Sequence, residues 1–359
     1  MRIIQIIDSL EPGGAERMAL NYANVLADKV QFSGLVATRK EGHLMNQLNQ
    51  NVSYLFLNKK KQLDFKALFR LRSFVLKNKV SYVHAHSTSF FFAFLLKITY
   101  PSLKIIWHDH YGSSEFLDKR SSFVLRLVLP FFNGIIAVNQ KLKNWAEEKL
   151  GAKNVVYLPN FPLNTNQVSG NTVLKGIQGK RIVSLANLRE DKDHFLLLEV
   201  AKKIRESYPE WTFHLVGKDF EDDCSKEIKK RISDFNLRNN VFIYGSRQDV
   251  PAILAQADIA VLTSKSEGLP VALLEYGLHK KAVVVTSVGE IPTIIKHGKN
   301  GFLIDPGEPD LFCQSLKELL NDEALRITFR NALYEIIQTE YTAESVMKKY
   351  LKWVKNDLK

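Results

Sequence analysis

The chain has 359 residues, more than twice the ~150 of a typical domain, so two domains with separate cores are expected. Its 45% hydrophobic and 25% charged residues leave no room for a long disordered tail, and two distant cysteines, Cys224 and Cys313, support neither a disulfide framework nor a zinc site. A net charge of +12 and a reducing-compartment cysteine count point to anionic partners: nucleic acid, a membrane surface or phosphorylated small molecules. The start, MRIIQIIDSL, has no signal-peptide h-region, which leads us to expect a cytoplasmic protein. Strands are expected at 3–8, 33–38, 52–57, 82–86, 104–107 and 134–138, alternating with helical patterns, the arrangement of a parallel doubly wound sheet. The apolar runs 90–96 and 123–138 are too short, or too broken by Arg126, Pro130 and Asn133, to reach the roughly 18 residues that span a bilayer. A polar stretch rich in Asn, Gly and Pro follows Pro159 and reads as a linker. Beyond it the alternation resumes at 181–186, 212–216, 241–244, 259–263, 282–286 and 301–304. The expected division is 1–160, a linker at 161–179, a second Rossmann-like domain at 180–342, and a basic helix at 343–359 able to pack back on the first domain.

In open α/β sheets ligands bind beyond the carboxyl ends of strands, so the loops there carry the most information. The first expected strand runs into Gly13 and Gly14 and then a helix with Ala15, Met18, Ala19, Tyr22, Val25 and Leu26 on one face. Glycines at a helix N-terminus let backbone N–H groups approach a phosphate; the competing reading is a tight turn that needs positive φ. After residues 259–263 comes SKSEGLP and then VALLEYGLH, with Pro270 suited to the first helical position. Glu267 then lies in the loop and Glu275 in the second helical turn, where carboxylates can accept hydrogen bonds from hydroxyls, while the N–H groups of Gly268 and Leu269 face the helix end. For isolated acids a solvated surface position is the ordinary alternative.

The stretch E-G-L-P-V-A-L-L-E from Glu267 to Glu275 resembles the E-x7-E signature of the family 4 retaining glycosyltransferases. The likeness continues in GGAER at residue 13, VHAHS at 83, HDHYG, AVNQKLKNW, VYLPN, NLREDKDH and NGFLI near 300. It implies a GT-B fold, two Rossmann-like domains facing each other across a deep cleft, and transfer of a sugar from a nucleotide-diphosphate donor with retention and without a metal or other cofactor. By the resemblance Glu267 contacts the donor sugar, Glu275 the ribose hydroxyls, Gly268 and Leu269 the sugar through their amides, and Lys192 the pyrophosphate. The family's Arg falls at Asn187 when aligned on Lys192 without gaps; Arg189, two residues later, is the alternative, and guanidinium suits bidentate phosphate pairing. His110 matches the family's sugar-facing histidine, with His108 as its competitor. In place of the family's G-G followed by Glu, this chain has Gly289 and Glu290 in VGEIPT.

The resemblance places the acceptor, a glycan or lipid-linked glycan, on the first domain. There Lys59, Lys60, Lys61, Lys66, Arg70, Arg72, Lys77 and Lys79 interleave with Phe65, Leu68, Phe69, Leu71, Phe74 and Val75. Such a helix either lies on an anionic membrane, which would place the protein on the inner face of the plasma membrane, or faces its own core with a solvated basic side. No groove-reading motif supports nucleic acid as a partner. An epimerase of the same fold, or a silent nucleotide-sugar-binding module, remains as an alternative, since fold does not fix chemistry.

Overall fold

Short β-branched runs such as Ile3-Ile4 and Val283-Val284-Val285 are buried throughout, and strands covered on both faces are what a parallel sheet requires. The structure, a computed structural model, describes residues 1–163 and 170–358, so residues 164–169 of the expected linker lie outside the described residues. Two compact units result: Met1–Phe161 with Ala343–Lys359, and Pro162–Thr342.

The first unit holds β1 (Arg2–Ser9), β2 (Phe32–Lys40), β3 (Ser53–Phe56), β4 (Tyr82–His86), β5 (Lys104–Asp109), β6 (Gly134–Ala137) and β7 (Val155–Tyr157) in the order β3-β2-β1-β4-β5-β6-β7. The second holds β8 (Arg181–Leu185), β9 (Thr212–Val216), β10 (Val241–Gly245), β11 (Ile259–Leu262), β12 (Ala282–Thr286) and β13 (Phe302–Ile304) in the order β10-β9-β8-β11-β12-β13. All the pairings are parallel. Each sheet is therefore a doubly wound Rossmann-like sheet whose order reverses once, between β1 and β4 and between β8 and β11, and such reversals open a crevice at the carboxyl ends. The twelve expected strands are found within about two residues at each end, the ordinary scatter of element boundaries. β7 was not expected as a strand: three partly buried residues give too short a pattern to read.

The helix Phe65–Lys77 buries Ala67, Leu68, Leu71 and Val75, and the Asp64 side chain caps it by accepting from the Ala67 N–H. Its core-facing side is thus real, yet Phe65 and Phe69 remain 66% and 63% exposed beside exposed Lys60, Lys61 and Lys66. Lys59 departs from the expected solvated basic pattern. It is buried, with Nζ 3.9 Å from Asp8 Oδ1 and 4.5 Å from the centre of the Phe92 ring, and burial lowers its pKa against the opposing pull of Asp8. Among the described residues no helix is long and apolar enough to cross a membrane.

The helix Ala343–Asn356 buries Val346, Met347, Tyr350, Trp353 and Val354 within the first unit. Gly134 makes room for it, since a Cβ there would overlap the Trp353 ring, and the Trp353 indole N–H donates to Asn154 Oδ1 at 3.0 Å. Trp353→Ala is expected to lower stability by about 3–5 kcal/mol through loss of buried aromatic surface. Urea unfolding checks this; an unchanged midpoint would mean that the helix is not part of the first unit's core.

Candidate functional site

In the second unit β8 and β11 pair only at Ile182 and Val183 with Ile259 and Ala260, and then diverge. Tyr276, from the helix Val271–Leu278, reaches into the divergence: its hydroxyl accepts from the Leu185 N–H at 2.7 Å and donates to the Val261 carbonyl at 3.3 Å. The backbone groups released by the parting strands are thereby satisfied, and the loops beyond them stay open. Those loops are tied to each other by Thr263 Oγ1 donating to the Lys192 carbonyl and by the Lys265 N–H donating to the Asp191 carbonyl, both at 2.9 Å.

Lys192 and Glu267 meet at this point. Lys192 Nζ lies 2.7 Å from Glu267 Oε1, which also accepts from Ser264 Oγ at 2.7 Å. Glu267 is only 6% exposed, so it is not a solvated loop acid. Burial pulls the Lys192 pKa down, but Glu267 and Asp191 outweigh it and the net shift is upward. Gly268 and Leu269 are buried beside Glu267. Pro270 is the N-cap of the helix Val271–Leu278 and not its first helical residue as expected, which leaves Leu269 and Pro270 in the loop; Glu275 is half-buried in the second turn.

The loop after β12 closes over this cluster. Gly289 has φ +57°, and a Cβ there would strike the Glu267 and Gly268 carbonyls, so both its backbone and its contact require glycine. The next residue's N–H, that of Glu290, donates to the Gly268 carbonyl at 2.9 Å, and Glu290 is itself buried. The sequence signal for this was the Gly-Glu pair in VGEIPT; the side-chain roles of Ser264 and Tyr276 carried none.

Asn187 is tied into the second unit. Its Oδ1 accepts from the Lys218 N–H at 2.7 Å and its carbonyl meets His194 Nε2 at 3.0 Å, which fixes the start of the loop. Arg189 is largely exposed with Nε 3.1 Å from Asp191 Oδ1, and Asp191 also lies 3.5 Å from Lys192 Nζ. Arg189 and Lys192 are thus linked through one carboxylate. As the cluster stands, these two cations face two acids, Asp191 and Glu267, rather than presenting bare positive charge.

Gly13, Gly14 and His110 belong to the first unit. Gly13 is the N-cap of the helix Gly14–Ala27 with φ −165°, extended backbone open to any residue, and Gly14 is not in the positive-φ region, so the positive-φ turn is not found. The Glu16 carboxylate lies where a Gly13 Cβ would be, at the far end of a flexible side chain that can move aside.

His110 follows β5, where Asp109 is anchored by Arg120 through two hydrogen bonds of 2.6 and 2.9 Å, the guanidinium lying against Tyr111 and Trp145. His110 Nε2 lies 2.9 Å from His86 Nδ1. His108 is fully buried and bonded to His84 at 3.1 Å, a structural position. Among the described residues His84, His86 and His108 are the group whose nitrogens come close enough to hold a metal ion. Their ring planes run within 12–35° of parallel. Ring nitrogens of His84 and His108, of His86 and His110, and His86 with Gln5 Oε1 lie at hydrogen-bond distance, 2.8–3.1 Å.

Burial holds His84, His86 and His108 well below the usual imidazole range, with neighbouring histidines adding to the effect, and lowers His110 to about 3. A group with a depressed folded pKa stabilises the fold above its unfolded pKa and loses that contribution as pH falls. Below about pH 6.5 each of the four imidazoles therefore removes up to about 1.4 kcal/mol per pH unit. Urea midpoints measured from pH 7.5 to 5 are expected to fall steeply below pH 6.5, and the slope should lessen in His84→Gln; a flat profile would contradict neutral burial of the cluster.

Two family models match the chain: glycosyltransferase family 4 over residues 12–161 and glycosyl transferases group 1 over residues 174–336. The chain is similar to the Escherichia coli UDP-Gal:alpha-D-GlcNAc-diphosphoundecaprenol alpha-1,3-galactosyltransferase, 24% identical over 350 residues that cover 90% of this chain and 89% of that protein. Among solved structures it is similar to Anabaena Alr3699/HepE in complex with UDP-glucose, with a TM-score of 0.80, 20% identity and 99% of each chain covered. WaaG, a glycosyltransferase involved in lipopolysaccharide biosynthesis, gives a TM-score of 0.74 at 14% identity, with 97% of this chain and 98% of that one covered. With both halves matched and both sheets in the same Rossmann order, the chain belongs to the family 4 glycosyltransferases of GT-B fold.

Proposed function

We propose that the protein moves a sugar from a nucleotide-diphosphate donor to a glycan or lipid-linked glycan, with retention of anomeric configuration and without a metal. The observation that carries this reading is the buried Lys192–Glu267 pair at the point where the second sheet reverses order. The UDP-Gal donor and diphosphoundecaprenol acceptor named for the E. coli relative, and the UDP-glucose of the Anabaena complex, support the substrate class.

In this reading a pyrophosphate draws Lys192 from Glu267 and Arg189 from Asp191. The exchange places both cations on the leaving group and releases the Glu267 carboxylate to accept a sugar hydroxyl. Glu275 takes the ribose hydroxyls, the amides of Gly268 and Leu269 hold the sugar, and Gly13 and Gly14 offer N–H groups to the donor's anionic side. His110 meets a hydroxyl of the transferred sugar. The bond from the anomeric carbon to the β-phosphate oxygen breaks, the acceptor hydroxyl adds on the same face, and its proton passes to the departing phosphate. Preorganised cations stabilise that phosphate.

Incubation with a panel of nucleotide sugars tests the class. Transfer or slow hydrolysis supports it; an isomerised donor would indicate an epimerase, and binding without turnover a silent module. Glu275→Ala is expected to weaken binding of both UDP and donor, whereas Glu267→Ala chiefly lowers kcat. Lys192→Ala should lower kcat roughly 10²–10³-fold, with Arg189→Ala reading out the second cation. Parental rates in folded Glu267→Ala and Glu275→Ala would remove the site assignment. Loss of transfer in EDTA, restored by Mg²⁺ or Mn²⁺, would remove the metal-free step.

The exposed lysines beside Phe65 and Phe69 suit a peripheral contact with an anionic membrane, where a lipid-linked acceptor would reside. Cosedimentation with phosphatidylserine vesicles should be salt-sensitive. Replacing Lys60, Lys61 and Lys66 by Gln should weaken it by about 1 kcal/mol per lysine, roughly a hundredfold in all, and leave UDP binding intact. Binding that is unchanged in this variant would exclude this surface.

A further inference from the structure

Five polar side chains from three adjacent strands share the interior of the first unit: Gln5 on β1, His84 and His86 on β4, His108 on β5, and His110 just beyond it. Side chains two apart on a strand point to the same face, so the two pairs of histidines stack in register. His84 and His86 have ring centres 4.3 Å apart, and His108 and His110 3.9 Å apart. Tyr22 sits edge-on to three of the rings, and Tyr350 of the terminal helix stacks on His84.

Two strings of hydrogen bonds run through the cluster. One joins His108 Nδ1 to His84 Nε2 at 3.1 Å and His84 Nδ1 to the Tyr350 hydroxyl at 3.4 Å. The other joins His110 Nε2 to His86 Nδ1 at 2.9 Å and His86 Nε2 to Gln5 Oε1 at 2.8 Å. Only the second reaches a proposed site residue. Gln5 and His86 are both fully buried, whereas His110 is half-buried.

We propose that Gln5, acting through His86, fixes which nitrogen of His110 carries the proton, so that His110 keeps Nε2–H and offers the bare Nδ1 as an acceptor. With the Gln5 amide oxygen turned toward it, and Gln5 Nε2 left without a hydrogen-bond partner, His86 Nε2 donates, because that oxygen can only accept. A neutral imidazole has one N–H, and burial keeps His86 neutral. His86 Nδ1 is therefore bare and accepts, and the nitrogen facing it, His110 Nε2, must donate. His110 is neutral as well, which leaves Nδ1 without a proton. Turning the Gln5 amide over would reverse every donor along the string and present Nδ1–H instead, so the tautomer of His110 reports directly on the glutamine. Gln5 and His86 are positioning residues, and only the use of the bare nitrogen, to accept a hydrogen bond from a hydroxyl of the transferred sugar, rests on the proposed function.

The test is ¹⁵N-histidine NMR of the full chain without ligand at pH 7, with the His110 signals assigned by their loss in His110→Gln. The parent should show protons on Nε2 of both His86 and His110; Nδ1–H on His110 would overturn the proposal. Gln5→Met keeps the side-chain length but removes the amide, and should leave His110 as a tautomer mixture with circular dichroism unchanged. In the same variant kcat should fall on the order of ten- to hundredfold, the size of effect seen when the outer partner of a functional imidazole is lost. Its Kd for UDP, which lacks the sugar that His110 is proposed to meet, should stay within about twofold. Should Gln5→Met not fold, His86→Asn places Oδ1 near the former Nδ1 and should keep His110 protonated on Nε2, whereas His86→Leu should not. A parental tautomer in folded Gln5→Met, or in His86→Leu, would also overturn the proposal. Absence of glycosyl transfer by the parent would count against the proposed function and leave the NMR result standing.

Discussion

The ion pair between Lys192 and Glu267 is the contact around which the second unit's site is organised. A carboxylate with 6% exposure is costly unless charge and hydrogen bonds compensate it, and here a lysine at 2.7 Å and the Ser264 hydroxyl do so. The two partners come from loops 75 residues apart, so the pair also ties the loop after β8 to the loop after β11. Asp191 extends the arrangement to Arg189 and leaves two cations balanced by two acids. In the proposed reading a diphosphate competes with these carboxylates for the two cations. That competition would join phosphate binding to the freeing of Glu267.

Sheet topology decides where this can happen. The strand order reverses between β8 and β11, pairing stops after Val183 and Ala260, and Tyr276 satisfies the backbone groups left by the gap. Around the opening, backbone meets backbone without room for side chains. Gly217 lies against Ala186 and Asn187, and Gly289 against Glu267 and Gly268. The first unit repeats the same strand order with different contents: at β1, β4 and β5 it places a stack of neutral imidazoles where the second unit places charges.

The strands were legible because apolar β-branched runs alternate with helical periods, and that pattern needs no knowledge of tertiary partners. Glu267, Gly268, Leu269 and Glu275 were singled out for the same reason that they are local: one loop and one helix start. What the sequence concealed depends on distant partners. Lys59 reads as one of three consecutive surface lysines, yet Asp8 and Phe92 draw it inward. Asn187 reads as a lost arginine, whereas Lys218, 31 residues later, gives its side chain a structural task. His86 lay within the VHAHS motif, but its partner is Gln5, 81 residues earlier, and no spacing rule joins them. β7 was missed because three residues at a sheet edge carry too little periodicity, and Pro270 was placed one position too far into its helix because proline suits the N-cap as readily as the first turn.

A crystal structure of the full chain with UDP tests most directly whether phosphate displaces Glu267 from Lys192. The β-phosphate is expected within hydrogen-bond distance of Lys192 Nζ, the ribose hydroxyls on Glu275, and the Lys192–Glu267 contact lengthened from its present 2.7 Å. A nucleotide bound elsewhere, with that ion pair unchanged, would contradict this displacement.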